Sequence, residues 1–356
     1  MTPRRLELLR AQFSTLKIDA FMITFQPHLR YMSGFSGSSG MGIVTADKSY
    51  LITDGRYASQ VEEESPTWKS FITKKTLFDE ACTRRLLRAG TRTGFDGNTL
   101  LYNEFTQIRK LFPRVKFLPK VDTIERIAAV KDELEIGHIR RAVAITDQVF
   151  QELLPMMKPG VTELDIAAEI SYRHRKHGAE GDAFESIVAS GERGSLPHGR
   201  ATSKKFANKE MVTLDFGCVV EGYHSDMTRT VSIGKSPPEA KKIYTIVHDA
   251  QRKAIDAATA GVKTRDLDAV ARGHIKKHGY DKFYRHSLGH GIGLQIHEPP
   301  RISVLSKSVL ATGNVVTIEP GIYIPSFGGV RIEDDIIIRN GVCEVLNRSP
   351  KEFISL

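Results

Sequence analysis

Carboxylates and histidines gather in three stretches of this sequence. In MVTLDFGCVVEGYHSDMTRTVSIG, Asp215 and Asp226 lie on two apolar strands that flank a turn near Glu221-Gly222. A tight turn sets residue 226 opposite residue 217. Asp215 is then its diagonal neighbour on the same face, with Cβ atoms about 7–8 Å apart. Two carboxylates so placed repel each other and resist desolvation. A divalent metal relieves both problems; a solvated turn carboxylate is the plainer alternative for one of them. In HSLGHGIGLQIHE, His286, His290 and His297 fall within twelve positions. Glycines at 289, 291 and 293 argue against a helix and permit close backbone approach to a ligand. Their spacing is not that of a dinucleotide fingerprint, which also needs a strand before it and a helix after it. In VVTIEPGIYI, Glu319 interrupts an apolar strand just before Pro320-Gly321. In GGVRIEDDIII, Arg331 and Glu333 are two apart and share a strand face. A plain ion pair between them is the alternative to a ligand role. Asp334 points the other way and reads as solvated or capping.

Asp215, Asp226, His290, Glu319 and Glu333 together supply four carboxylates and one imidazole. That mostly hard-oxygen set suits Mn²⁺, Co²⁺ or Zn²⁺ better than a thiolate-loving ion. Two ions ~3.5–4 Å apart activate water near neutral pH and polarise a carbonyl, which is hydrolytic chemistry.

The surrounding elements must hold these residues. Residues 4–17 read as a helix with Leu6, Leu9, Phe13 and Leu16 on one face. Short strands follow at Ala20–Thr24, Gly42–Thr45 and Ser49–Thr53, around the glycine/serine loop 34–40. Alternating strands and helices give a small α/β domain over residues 1–124, whose last strand is Val115–Val121. Thr123–Leu154 reads as one helix with Glu133, Glu135, Arg140 and Arg141 on its outer face. Thr162 caps a second helix that runs to about Lys176, and further helices cover Pro238–Ala260 and Thr264–His278. Strands are expected at Met211–Phe216, Tyr223–Ile233, Val315–Ile324 and Val330–Arg339. Grouped helices and grouped hairpins make residues 125–356 an α+β domain with antiparallel pairing. Two helix-pair-plus-hairpin halves leave room for a weak internal duplication.

Composition bounds the rest. The 356 residues are 40% hydrophobic and 26% charged, which excludes a disordered chain, a collagen and a coiled-coil rod. The net charge of +9 splits unevenly: residues 1–125 hold 19 basic and 13 acidic groups. Histidine runs the other way, because only His28 of the twelve lies in that first part. Three distant cysteines argue for a reducing compartment. The start, MTPRRLELLRAQF, lacks the apolar core of a secretory signal, and no run approaches the ~20 apolar residues of a membrane span. A soluble cytoplasmic protein is expected, with no membrane partner. Lysine pairs such as Lys204-Lys205 and Lys241-Lys242 are dispersed and lack interleaved aromatics, so no nucleic-acid partner is expected.

Five words, SIVASGERGSLPHG, VTLDFGCVVEGYHSDMTRTV, HSLGHGIGLQIHEPP, TIEPGIYIP and GGVRIEDD, stand in the order of a known family. The sequence resembles the creatinase/methionine-aminopeptidase superfamily, and within it the Xaa-Pro peptidases, prolidase and aminopeptidase P. RYMSGFSGSSG and LITDGRY resemble that family's N-terminal domain. The resemblance implies a pita-bread catalytic domain behind a smaller creatinase-like α/β domain. It implies two divalent ions per subunit, Mn²⁺ before Co²⁺ or Zn²⁺, held by Asp215, Asp226, His290, Glu319 and Glu333. By the same resemblance Asp226 and Glu333 bridge the ions, and Glu319 is also the general base. His198 contacts substrate beside the metals, and His297 donates to the scissile carbonyl. His286 lines the proline pocket, packing support alone being its alternative, and Arg331 supports the cluster and contacts substrate. Proline-containing dipeptides or short peptides are the implied substrates, and a homodimer the implied assembly. The sequence departs from the family at His28-Leu29-Arg30 before Tyr31, where an asparagine is common upstream, and at Gln295, where an acid is frequent. Arg193 and Gly194 fall where relatives vary.

An Xaa-Pro bond is a tertiary amide without an N–H, which general peptidases handle poorly. Cleavage of Xaa-Pro dipeptides leads, with action on longer peptides close behind. A creatinase-like hydrolase lacks the complete ligand set, as does a binding protein that lost catalysis, and here all five ligands stand.

Overall fold

The computed structural model describes the backbone of residues 2–356 and the side chains from residue 4 onward. The chain forms two compact units, one ending at Ala128 and one covering Ala129–Leu356. Among the described residues, no helix is long and apolar enough to cross a membrane. Cys82, Cys218 and Cys343 are all free.

The first unit is a six-stranded sheet in the order Lys69–Thr73, Ser49–Asp54, Gly40–Thr45, Ala20–Ile23, Arg92–Asp96 and Lys116–Lys120. Gly40–Thr45 pairs antiparallel with both its neighbours, and the outer pairs run parallel. Met22, Ile43, Ile52, Phe95 and Ile108 fill its core. This is the small α/β domain that the alternating pattern predicts.

The second unit is α+β, and every strand pair in it is antiparallel. Helices Glu133–Leu153 and Glu163–Lys176 precede a sheet of Ile187–Ser190, Glu210–Phe216 and Met227–Ile233. Phe150, Ile166 and Ile170 pack there on Val188, Leu214 and Val231. The pattern then recurs. Helices Pro238–Ala257 and Thr264–Lys277 precede a sheet that includes Gly289–Gly291, Val315–Ile318 and Asp334–Ile337. Val247, Leu267 and Ala271 pack on Val316, Ile318 and Ile336. The second pair thus buries its apolar stripe on its own sheet, while the first pair splits: Ile136, Ile139 and Val143 of its first helix pack instead with Val315 and Ile337 of the second sheet.

The long helix expected over Thr123–Leu154 is two helices, Thr123–Ala128 and Glu133–Leu153. Asp132 starts the second: its carboxylate accepts from the N–H groups of Leu134 and Glu135, and Glu135 accepts from the Asp132 N–H. That reciprocal capping box outweighs continuing the helix. Glu135 is therefore buried rather than on the outer face, and it also accepts from the Tyr223 hydroxyl at 3.0 Å.

Three expected strands are also interrupted. Tyr223–Ile233 becomes Tyr223–His224 and Met227–Ile233. Val315–Ile324 becomes Val315–Ile318 and Gly321–Ile324. Val330–Arg339 becomes Gly328–Arg331 and Asp334–Ile337. The breaks fall at Asp226, Glu319 and Glu333. At each, the backbone leaves its ladder for another partner: Asp226 N–H donates to the Asp335 carboxylate, Glu319 N–H to the Leu288 carbonyl and Glu333 N–H to the Thr228 carbonyl.

Candidate metal centre

Asp215 and Asp226 take the placement that their spacing predicts. The turn is Glu221-Gly222, both residues with positive φ (51° and 78°), as a two-residue hairpin turn requires. Thr228 stands opposite Asp215 and Met227 opposite Phe216, so Asp226 falls opposite Gly217 and diagonal to Asp215.

His290 is on the strand Gly289–Gly291. A Cβ on Gly289 would run into the Thr317 carbonyl oxygen, and one on Gly291 into the Pro299 carbonyl oxygen. These glycines admit neighbouring strands rather than a ligand, which corrects the role expected for them. The imidazole Nδ1 of His290 donates to the Gly291 carbonyl at 3.1 Å. Its Nε2 therefore carries a lone pair, aimed 3.7 Å from Asp226 Oδ2 and 3.6 Å from Glu319 Oε1. Burial pushes the His290 imidazolium down to about 4, so the ring is neutral, as a metal ligand must be.

The five candidate ligands, with His198, His286, His297 and Arg331, line one cavity of about 800 Å³. Donor atoms of Asp226, His290 and Glu333 lie within 4.8 Å of one another. Oδ1 of Asp215, Oδ1 of Asp226 and Oε1 of Glu333 are buried without a hydrogen-bond partner. Burial first, and then neighbouring carboxylates led by Glu333, push Asp226 and Glu319 well above the usual carboxylate range. Burial and then Asp215 push Glu333 up to about 8. Buried, mutually repelling carboxylates with orphaned oxygens are what divalent cations would satisfy. The residues present fit such ions.

Arg331 does not pair with Glu333. Its guanidinium pairs with Asp215 Oδ2 and donates to Thr228 Oγ1 at 2.9 Å and to the Tyr323 hydroxyl at 2.7 Å. Thr228 in turn donates to Glu333 Oε2 at 2.6 Å. The Glu333 backbone leaves the strand, so residues two apart no longer share a face. Tyr323 donates to Nε2 of His286 at 2.9 Å, because Nδ1 of that ring is spent on the Ser287 carbonyl. Burial holds His286 down at about 3, and its Nδ1 lies 3.9 Å from Glu319. His297 stands edge-on to His290 with ring centroids 4.3 Å apart. His297 and His198 are exposed at the cavity mouth.

Asp334 is neither solvated nor a cap. It is fully buried, bound to Arg229 at 2.8 Å, Lys351 at 2.6 Å and Gln251 at 2.9 Å. Sequence reasoning also passed over Asp335, whose buried carboxylate receives the Asp226 N–H at 2.9 Å.

Residues 137–340 match the metallopeptidase family M24, and residues 5–130 match the creatinase/prolidase N-terminal domain. This chain belongs to metallopeptidase family M24. It is 37% identical over 354 residues to the Xaa-Pro dipeptidase of Pyrococcus furiosus, covering 98% of this chain and 99% of that one. The solved Xaa-Pro dipeptidase of Bacillus anthracis superposes with a TM-score of 0.97 at 37% identity, over the whole of both chains. The X-Pro aminopeptidase of Thermotoga maritima superposes at 0.90 and 36% identity, covering 97% of this chain and 100% of that one.

One further residue of this M24 metallopeptidase anchors a loop that reaches the cavity. Glu163 is fully buried at the start of its helix. Its Oε1 accepts from the Ser190 N–H and hydroxyl, both at 2.8 Å. Its Oε2 accepts from the Thr202 N–H at 3.0 Å, the Thr202 hydroxyl at 2.8 Å and Arg193 Nε at 3.1 Å. These bonds pin both ends of the 190–202 loop that carries His198. No spacing in the sequence marks Glu163, because its donors come from distant segments. Glu163→Gln turns an amide NH₂ toward fixed N–H groups. We expect it to cost about 1–3 kcal/mol of stability, read by denaturant unfolding. We also expect kcat/KM to fall roughly tenfold as His198 loses its position, read by steady-state kinetics.

Proposed function

We propose that this chain is a dinuclear-metal-dependent Xaa-Pro peptidase that prefers dipeptides. The observation that carries the reading is that four carboxylates and a neutral His290, whose Nε2 faces Asp226 and Glu319, line one cavity. Asp215, Asp226, His290, Glu319 and Glu333 would hold the two divalent ions. The bound ions supply an activated water and polarise the scissile carbonyl.

The protein's own groups do the rest. Glu319 takes the proton from the attacking water and delivers it to the departing proline nitrogen. His297 and His198 donate to the carbonyl oxygen as it gains negative charge. The rings of His286 and Tyr323, with centroids 5.4 Å apart, form a wall for the pyrrolidine. Arg331 holds Asp215 in place and presents positive charge toward a peptide carboxylate.

The hard donor set favours Mn²⁺, ahead of Co²⁺ or Zn²⁺. Three free cysteines suit the cytoplasm, and a homodimer is the proposed assembly. Likeness to the Thermotoga maritima X-Pro aminopeptidase supports a second reading, cleavage of longer peptides by the same residues. Turnover of Ala-Pro against Ala-Pro-Ala by the Mn²⁺-loaded enzyme separates the two. We expect kcat/KM to favour the dipeptide by at least about tenfold. Negligible dipeptide cleavage sinks the preference.

A further inference from the structure

The lone histidine of the N-terminal unit stands at a second cluster of ligating groups. His28 is on the helix Gln26–Ser33, Asp96 ends the strand Arg92–Asp96, and Glu125 is on the helix Thr123–Ala128. Three elements far apart in sequence thus bring an imidazole and two carboxylates together. His28 is 5% exposed and Asp96 7%. The Glu125 side chain is 11% exposed. Phe25 closes over the His28 ring edge-on, with centroids 4.9 Å apart.

The polar atoms here are poorly satisfied. Asp96 Oδ1 accepts from the Asn98 N–H at 2.9 Å, but its Oδ2 has no hydrogen-bond partner. Both ring nitrogens of His28 also lack one. The catalytic cluster carries the same mark, in the orphaned oxygens of Asp215, Asp226 and Glu333. A buried, unpartnered imidazole and carboxylate call for an explanation.

An imidazolium between two carboxylates would place N–H···O contacts at ~2.7–2.9 Å. The observed approaches are longer and fall on opposite ring nitrogens, Nδ1 at 3.3 Å from Asp96 Oδ2 and Nε2 at 3.8 Å from Glu125 Oε1, so one ion would take a single ring nitrogen with both carboxylates turned toward it. Donors that share an ion at ~2.1 Å stand about 3.4 Å apart. One donor from each of the three residues lies within 4.8 Å of the other two, so a small rotation of a side chain completes the set.

We propose that His28, Asp96 and Glu125 bind one divalent transition-metal ion, of the Zn²⁺ type, in the N-terminal unit. One imidazole and two carboxylates make a borderline-hard set with room for water in the fourth position. The ion ties two helices to a strand end, so its binding adds to the stability of that unit.

The test strips the full-length wild type, His28→Asn and Glu125→Gln with chelator, reloads each with Zn²⁺, and counts zinc per chain by elemental analysis. Each variant is expected to hold one zinc fewer than the wild type. Equal zinc content in all three overturns the site. Anomalous scattering at the zinc edge from wild-type crystals needs no variant. A peak among the three side chains is expected, and its absence after zinc loading overturns the site equally.

Discussion

Asp226→Asn is expected to lower kcat on Ala-Pro by at least ~10³-fold and to empty the metal centre of most of its bound ion. Asp226 is 5% exposed, lies diagonal to Asp215 and has an orphaned Oδ1. Its carboxyl is crowded by Glu333, Asp215, Asp335 and Glu319. Asparagine keeps the shape but removes a negative charge that would help hold the cations. It also removes one like charge from a repelling, buried group. The metal-stripped variant should therefore melt no lower than the metal-stripped wild type, while the loaded wild type melts higher than both. Loss of activity with a retained or raised apo melting temperature separates a ligand from a merely structural residue. Activity within tenfold of wild type, at full metal content, would contradict the ligand role.

Glu319→Gln should lower kcat by about 10²–10⁴-fold, the usual worth of a positioned general base, with a smaller loss of metal than Asp226→Asn. Glu319 sits in the gap between Val315–Ile318 and Gly321–Ile324, where Pro320 has no N–H with which to continue the ladder. Its backbone is fixed by the Leu288 carbonyl at 2.8 Å, and its side chain faces His290 at 3.6 Å and His286 at 3.9 Å. Glutamine retains one oxygen to offer an ion but accepts no proton. KM should change little, because the lost interaction belongs to the transition state. Steady-state kinetics paired with metal analysis reads both effects. A kcat within tenfold of wild type at full metal content removes Glu319 from the role of base.

Much of the centre was legible because it depends on local rules. Strand period and a two-residue turn set Asp215 beside Asp226, and the histidine skew pointed to the unit that carries the cavity. Where local rules compete with distant partners, the reading failed. Arg331 and Glu333 share a face only if the strand continues. It stops because the Glu333 N–H turns to Thr228, a residue more than a hundred positions away, and Arg331 then reaches Asp215. Asp334 reads as solvated only because Arg229 and Lys351, its ion-pair partners, are remote in sequence. The helix expected across residues 129–132 breaks because Asp132 and Glu135 cap each other, a local signal that apolar periodicity obscured.

The sequence by itself determined the donor types, the helix pairs, the antiparallel α+β character of the second unit and the hairpin register. Each follows from periodicity and turn chemistry over a few residues. Only the tertiary structure decided which carboxylates are orphaned, which are paired with arginine, and which histidine nitrogen faces the cavity. Those depend on burial and on partners brought together from distant segments, where a buried charge must find a counter-charge and no local pattern says which one it finds.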